Sequence, residues 1–436
     1  MSDKSPTLSP ILTRQTSVTI GWMPTSPSPE PVARHGRLRS TRSVATLLKI
    51  VAAGLAVLLV SGVSVAAVAV FNVTSSIAPG VALSGDDKSP PQIGPIEGAV
   101  NLLLVGSDSG GGNAAYGKRG EVLNDVTMLL HISADHKRAT VVSFPRDMFV
   151  DIPECTAPDG KTFEAVSNQK MNTALNRGGL ACPVSTVEAI TGLEVPYAAK
   201  IEFDGVIAMS NAVGGVPVCV ATAINDRQIS FQLSAGEHVL AGADALQFLR
   251  SRYGVGDGSD TTRISNQQQF LSSLVRTLKS SETLSNPLKL YGIAAAATQN
   301  LEFSNSLRNV DTMVSIAAAL RDIPLEEVVF VKYPSAAGSA GGQSGVLPIQ
   351  SAADALFAAI EADLPIGLTG TTGGGTIAEP APEPAPEATV DPSAGPVDPS
   401  ADPSASPTPE RVELPSAVEG QNASQVTCTA GQTAGG

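Results

Sequence analysis

The chain has 436 residues, enough for two average domains or for one large domain with appendages. Its 28 Lys+Arg against 41 Asp+Glu give a formal charge of −13, which argues against a nucleic-acid binder, since phosphate contacts need a basic face. With 42% hydrophobic but only 4% aromatic residues, 41 Gly and 32 Pro, the composition averages unlike segments, and four dispersed Cys exclude both a disulfide-dense mini-scaffold and a CxxC…CxxC zinc ribbon.

Residues 1–49 are Ser/Thr/Pro-rich without hydrophobic periodicity and read as a disordered cytoplasmic tail. Ile50–Phe71 carries no charge over 22 positions, enough helix to cross the hydrocarbon core of a bilayer. The segment before it holds seven basic residues against Asp3 and Glu30, a net +5 that marks the cytoplasmic flank and leaves −18 for the rest. A cleaved signal peptide would be cut among the small residues Ala67–Ala69, but the long leader and long apolar stretch favour a retained single-pass anchor with an extracellular domain. Residues 72–98, with Pro79-Gly80 and Pro90-Pro91, read as a linker. Residues 99–367 have the pattern of a folded domain large enough to bury a core. Residues 368–436, Gly/Thr-rich and then built of Ala/Pro/Glu/Asp repeats, read as a disordered acidic tail.

Within the domain, the apolar runs Val100–Val105, Met128–Ile132 and Thr140–Phe144 predict buried strands, the last two joined by the charged turn Ser133–Arg138. Val184–Thr191 predicts a helix, Ala198–Phe203 a strand, Val206–Val213 a helix broken by Gly214-Gly215, and Val216–Val220 a strand. Gln267–Ser280 has the best helical period, with Phe270, Leu271, Leu274, Val275 and Leu278 on one face. Further helices are expected in Pro287–Arg321 and a strand at Val328–Val331. The alternation predicts a layered α/β domain.

Sites in α/β sheets lie beyond strand ends. The first apolar run leads into Gly106-Ser107-Asp108-Ser109, the second is preceded by Asn124-Asp125, and the third leads into Pro145-Arg146-Asp147. Arg250-Ser251-Arg252 is followed by Gly256-Asp257-Gly258 and by Arg263. Carboxylates with four arginines can hold a metal-chelated phosphate: hard oxygens for Mg²⁺, guanidinium forks for phosphate oxygens. Taken singly, each Asp is more often a turn or cap residue and each Arg a solvated charge. Arg250 and Arg252 would share a face if the segment is extended, and two adjacent cations call for an anion.

Other chemistries fit less well. Gly112–Arg119 approaches a phosphate-loop pattern, but Arg119 stands where the hydroxyl that binds Mg²⁺ belongs. His131, His136 and His238 support neither a zinc cluster nor a Ser/His/Asp triad. Cys155 and Cys182 are expected to pair, whereas Cys219 and Cys428 are compatible with a second bridge or with staying unpaired.

The ordered motifs VNLLLVGSDS, NDVTMLLHIS, VVSFPRDMFVDIP, QKMNTAL, FDGVIAMSNAVGGVPV and GEHVLAGADALQFLRSRYGVGDGSDTTRISNQQQFL resemble the LytR-CpsA-Psr family of membrane-anchored cell-wall enzymes, of actinobacterial type. The resemblance covers roughly Ala99 to Lys279. It implies a three-layer α/β/α domain with a central mixed sheet and an apolar lipid tunnel. It also implies transfer of a phosphate-linked glycopolymer from a polyprenyl-pyrophosphate carrier to peptidoglycan, with pyrophosphatase side activity. By motif, Asp108 and Asp125 match the carboxylates that bind Mg²⁺ or Mn²⁺. Arg146, Arg250, Arg252, Arg263 and Gln267 match residues that contact phosphates, and Asp257 matches the acidic residue of the GD loop.

The sequence departs from the family pattern at Leu123, where an arginine is usual and Arg119 of the longer loop is the expected substitute in substrate binding. It departs again at Gly110 and at Asn266. The expected partners are the lipid-linked glycan, peptidoglycan and the membrane, with no nucleic acid and a monomeric state. The contrasting reading is a non-catalytic envelope glycan binder or attenuator-like sensor on the same scaffold.

Overall fold

A computed structural model describes residues 43–83, 97–109, 116, 121–378 and 411–432. Ser43–Ser75 is one helix, α1, whose apolar part Thr46–Ser75 is long enough to cross a membrane and contains the 50–71 span expected from the sequence. Residues up to Ser64 form one unit and those from Val65 another.

The second unit opens with β1 (Val100–Ser107), β2 (Asn124–Ile132) and β3 (Ala139–Phe144), an antiparallel meander. Two small ribbons follow, built from β4 (Phe149–Ile152), β5 (Cys155–Thr156), β6 (Thr162–Phe163) and β7 (Val166–Lys170). Next come α2 (Ala174–Gly178), α3 (Ala181–Thr191), β8 (Tyr197–Ile201) and α4 (Phe203–Val213). A satellite region holds β9 (Val216–Thr222), β10 (Ile224–Asp226), β11 (Phe231–Leu233), β12 (Gly236–Leu240) and α5 (Gly242–Arg250), before α6 (Asp260–Lys279). Then come α7 (Ser281–Leu284), α8 (Pro287–Asn300), β13 (Leu301–Phe303), α9 (Val310–Asp322) and β14 (Val328–Lys332). The hairpin β15 (Ser335–Ala340) and β16 (Gln343–Pro348) leads to α10 (Gln350–Glu361), and β17 (Ile366–Leu368), β18 (Thr376–Ala378), β19 (Val412–Leu414), β20 (Gly420–Asn422) and β21 (Thr427–Ala430) finish the described chain.

The central sheet has the order β13-β8-β1-β2-β3-β14-β20. β8 runs parallel to β1 and β14 parallel to β3, with the other neighbours antiparallel, so the sheet is mixed as expected. Alternation along the strands sends Leu103, Val105, Leu129 and Val142, all 0% exposed, toward Val184 of α3 and Leu356 of α10. The opposite set, including Val100, Ile132 and Phe330, meets Ile316 of α9 and Leu271 and Val275 of α6. A third cluster gathers Val218 of β9, Phe248 of α5, Val255 and Phe270 of α6.

α6 begins seven residues before the predicted start because Ser259 caps it, accepting the Thr262 N–H. Its apolar residues do not serve one face: Phe270 and Leu274 join the third cluster, Leu271 and Val275 the second. The helix is therefore buried on both sides. The strand predicted to reach Phe203 ends at Ile201, and Phe203 already opens α4.

Two segment boundaries change. Within the expected 72–98 linker, Val81 and Leu83 are buried, and Val81 donates its N–H to Phe303 O at 2.9 Å, so this piece packs on the domain. The expected tail from 368 onward does not hold for residues 411–432: β20 forms the sheet edge beside β14 and β21 lies parallel to β9. A composition average over the Pro-rich repeats hid Val412, Leu414 and Val418, apolar residues that pack on the core. The Pro-rich 379–410 stretch lies outside the described residues. Both disulfides form, Cys155–Cys182 as expected and Cys219–Cys428 across 209 residues.

Candidate functional site

The junction between β1 and β2 carries two carboxylates at one end of the sheet. Register shifts there, with Gly106 opposite Val126 and Ser107 opposite Asn124, which leaves Asp125 as an extra residue on β2. Such a bulge re-aims the side chain it carries. Gly106 is required by the close approach, since a Cβ there would lie 2.9 Å from Val126 Cβ. Asp108, 3% exposed, is locked to the same junction: its N–H donates to Leu123 O at 3.1 Å, and its Oδ1 accepts the Leu123 N–H at 3.0 Å. Asn124 ties the junction to the neighbouring segment by donating to Met171 O and accepting the Leu175 N–H.

Arg146, just past β3, reaches across to this junction. Its Nη1 donates to Asp125 Oδ1 at 2.6 Å, and its Nε lies 3.5 Å from Asp147 and 3.6 Å from Asp260. Arg263, in the first turn of α6, approaches Asp260 at 2.5 Å and donates to Asp125 O at 3.1 Å. Asp147 in turn accepts from Lys170 Nζ at 3.1 Å. Burial pulls the Arg146 pKa down, but Asp125, Asp260 and Asp147 outweigh it and hold the guanidinium above its ordinary value. Burial pushes Asp147 up, and the Lys170 bond with the field of Arg146, Lys170 and Arg252 more than reverses this. The Nε atoms of Arg146 and Arg263 are buried and make no hydrogen bond, although Arg146 Nε stands at ion-pair distance from Asp147 and Asp260.

The Arg-Ser-Arg segment is not an extended strand with two side-by-side cations. Arg250 is the last residue of α5, and the chain turns at Ser251. The Arg250 guanidinium lies over the Phe203 ring at 4.4 Å, while Arg252 Nε donates to Gly258 O at 3.0 Å. Asp226, 1% exposed, shapes the turn by accepting the N–H groups of Arg252 and Tyr253 and the Ser251 hydroxyl at 2.9–3.1 Å. Tyr116 packs edge-on against Phe203 at 5.0 Å and donates to Asp204 at 2.6 Å. Burial and then the Asp204 bond push its phenol up to about 12.

Asp125, Arg146 and Arg263 are thus brought together, with Asp108 at the same strand junction and Arg252 within the field of Asp147. Gln267 sits behind this group: it donates to Leu249 O and, with Asn266 on Phe248 O, satisfies carbonyls at the end of α5. Asp257 is exposed, and its Oδ1 accepts the Ser259 N–H at 2.9 Å in the turn before α6. Arg119 lies outside the described residues. Sequence reasoning missed Asp260, the carboxylate that does join the arginines; its signal was the i, i+3 spacing to Arg263 behind a Ser cap. Asp226, Lys170 and Phe203 gave no sequence signal.

Asp108 and Asp125 fit a small hard cation shared with a ligand: Mg²⁺ is commonly held by one or two carboxylates, with phosphate oxygens and waters completing the shell. Among the described residues no group of three or more His, Cys, Asp or Glu forms a self-sufficient metal cage.

One face of the same strands is incompletely covered. Leu102, Leu130 and Val141 lie opposite one another across β1, β2 and β3, and with Leu104 they remain partly exposed, while Leu103, Leu129 and Val142 on the other face are sealed. A separate cavity of about 330 Å³, lined by Glu237, Gln269, Ser273 and Arg276, lies by the Cys219–Cys428 bridge and shares no residue with the arginine cluster.

The LytR_cpsA_psr family model matches residues 70–360. The cell wall biosynthesis protein LcpA of Corynebacterium glutamicum is 29% identical over 265 residues, covering 55% of this chain and 50% of the relative. The polyisoprenyl-teichoic acid–peptidoglycan teichoic acid transferase TagT of Bacillus subtilis is 26% identical, covering 70% of this chain and 91% of TagT. The crystal structure of protein gbs0355 from Streptococcus agalactiae shares the fold, at a TM-score of 0.50 and 21% identity over 61% of this chain and 88% of that one. The chain spans about half the length of its corynebacterial relatives. With the family model covering well over half its residues, the chain belongs to the LytR-CpsA-Psr family.

Proposed function

We propose that the chain transfers a phosphate-linked glycopolymer from a polyprenyl-pyrophosphate carrier to a peptidoglycan hydroxyl outside the cell membrane, with Mg²⁺ or Mn²⁺ held by Asp108 and Asp125. The observation that carries this reading is the convergence of Arg146 and Arg263 on Asp125, each with a buried Nε–H that makes no hydrogen bond. They stand on the strand junction whose partly exposed apolar face suits an aliphatic chain. The naming of TagT as a transferase of polyisoprenyl-linked teichoic acid to peptidoglycan supports the same substrate class.

In phosphoryl transfer the protein mainly positions groups and stabilises charge on the oxygens, so no histidine is needed. Arg146, Arg263 and Arg252 hold the phosphoryl oxygens, and Arg250, steadied on Phe203, adds a further cation. A divalent cation, when bound, neutralises charge on the pyrophosphate bridge. The acceptor hydroxyl oxygen forms the new bond to phosphorus, the bond to the prenyl phosphate breaks, and the hydroxyl proton passes to a carboxylate of the cluster or to the departing phosphate. The pyrophosphate bond is itself the activated linkage, so no external energy source is required.

The test uses the full chain in proteoliposomes, with a labelled lipid-linked glycan and peptidoglycan as acceptor. Arg252→Ala and Asp125→Ala are expected to abolish transfer with thermal unfolding retained. Transfer at the wild-type rate by both variants overturns the assignment.

A further inference from the structure

Between the two apolar sides of α6 runs a polar stripe. Gln269, Ser273, Arg276 and Thr277 fall at i, i+4, i+7 and i+8 on the helix, and all four line the cavity of about 330 Å³ beside the Cys219–Cys428 bridge. That volume is at the small end for ligand pockets, so it suits a compact molecule and not a polymer chain. The facing walls come from β9, β12 and the returning C-terminal segment, through Cys219, Glu237 and Thr427.

The walls are fixed by their own bonds. Gln269, 2% exposed, donates from Nε2 to Cys219 O and Thr427 O, both at 2.8 Å, and so pins the returning segment to β9. Ser273 donates its hydroxyl to Pro217 O, and Arg276 donates from Nη1 to Ala423 O at 2.7 Å and Gln425 O at 3.3 Å. Three polar groups of the walls are not used in this way. Among the described residues Arg276 forms no ion pair, and its half-burial lowers its pKa with no carboxylate to oppose the shift. Glu237, opposite Cys219 in the strand register, is exposed and also forms no ion pair among the described residues. Thr427 is 2% exposed, and its hydroxyl is buried without a hydrogen-bond partner among the described residues. A half-buried guanidinium with no carboxylate and an unpartnered buried hydroxyl on the walls of one cavity point to a polar ligand.

We propose that this cavity binds a small zwitterion of the amino-acid type, its carboxylate on Arg276 and the Thr427 hydroxyl and its ammonium on Glu237. A guanidinium fork matches a carboxylate, whereas a simple anion would be repelled by Glu237 and a simple cation by Arg276. Only a molecule with both charges meets both walls. A free amino acid and a short peptide with free ends share this chemistry. The site has no residue in common with the arginine cluster, so it stands or falls apart from the transfer reading.

Isothermal titration of the full chain in detergent tests this with alanine and alanyl-alanine as zwitterions, N-acetylalanine as the anion alone and alaninamide as the cation alone. At least one zwitterion is expected to bind at least about tenfold more tightly than either singly charged probe, the scale of one charge-assisted contact. Which zwitterion does so tells a free amino acid from a peptide. Glu237→Gln, at an exposed position, should erase the advantage over N-acetylalanine. Thr427→Val keeps the shape and removes only an unpartnered hydroxyl, so it should weaken the zwitterion and N-acetylalanine alike with the thermal midpoint retained. Arg276→Gln should abolish binding of both; if loss of its two main-chain contacts unfolds that variant, the other two carry the test. N-acetylalanine or alaninamide binding as tightly as the zwitterions overturns the proposal. So does the absence of binding by any probe at about 10 mM, or zwitterion binding unchanged by Glu237→Gln and Thr427→Val.

Discussion

Asp260 holds Arg146 at two points: one carboxylate oxygen accepts the Arg146 main-chain N–H at 3.2 Å, and the other lies 3.6 Å from its Nε. The same carboxylate meets Arg263, so one residue at the start of α6 sets the position of two guanidiniums that arrive from different elements. Asp260→Asn keeps the shape but removes the charge. With Arg146 and Arg263 left facing each other, folding stability is expected to fall by about 3–5 kcal/mol, the scale for breaking a buried charge pair from one side. Transfer should fall about a hundredfold, as when a positioned charge-stabilising contact is lost. Chemical denaturation and a single-turnover transfer assay check the two effects separately; a stable variant with full transfer would assign Asp260 no positioning role.

The Phe203 ring lies 4.4 Å from the Arg250 guanidinium. Phe203→Leu retains the apolar packing and removes the ring face, a loss of about 1 kcal/mol at a partly desolvated site. The expected readout is a severalfold weaker affinity for the lipid-linked substrate in a folded protein. An Arg250→Ala background should absorb most of that effect, because the ring then has no cation to hold.

Asp147 makes a specific pH prediction. Its folded pKa is depressed below the ordinary carboxylate value, since Lys170 and the nearby arginines outweigh its burial. The unfolded chain therefore takes up the proton first as pH falls. The Asp147 contribution is complete above about pH 4 and is lost as pH drops through the lower folded value. Lys170→Met removes the first of the stabilising partners, so its penalty measured at pH 6 should shrink steadily toward acid pH. A penalty independent of pH would assign the loss to packing of the lysine stem.

The legible part of this molecule was the part governed by period and by strand ends. Three apolar runs marked β1, β2 and β3, and Asp108, Asp125 and Arg146 follow from them because a sheet delivers its loops to one end. The choice between Asp257 and Asp260 was not legible in the same way. They lie three residues apart on either side of the Ser259 cap, which leaves Asp257 turned back on the loop while Asp260, the first residue of α6, faces the arginines. The paired-arginine reading failed because it assumed an extended chain where α5 runs up to Arg250. The return of residues 411–432 was hidden by an average taken over a Pro-rich stretch that ends just before them.

That returning segment is held covalently. Cys428→Ser opens a loop spanning 209 residues, for which the chain-entropy estimate is about 5 kcal/mol. The expected result is a clear drop in thermal midpoint and protease cleavage near residues 411–432, with Cys155–Cys182 still formed. Unchanged protection of this segment would show that β20 and β21 pair strongly enough alone.

The proposed Mg²⁺ site separates at its two carboxylates. Asp125 is bound to Arg146 at 2.6 Å, so Asp125→Asn changes both the cation site and the arginine. Asp108 accepts the Leu123 N–H at the same junction, and Asp108→Asn leaves the Asp125–Arg146 pair in place. Both variants should raise the Mg²⁺ concentration for half-maximal transfer at least about tenfold, a loss already typical of residues that merely support metal ligands. Only Asp125→Asn should also shift the binding of a metal-free prenyl phosphate, because only there is Arg146 released. Isothermal titration with the lipid phosphate in chelator, beside a Mg²⁺ titration of activity, measures the two effects independently. An Asp108→Asn variant with an unchanged Mg²⁺ requirement would remove Asp108 from the cation site and leave the arginine cluster as the sole phosphate holder.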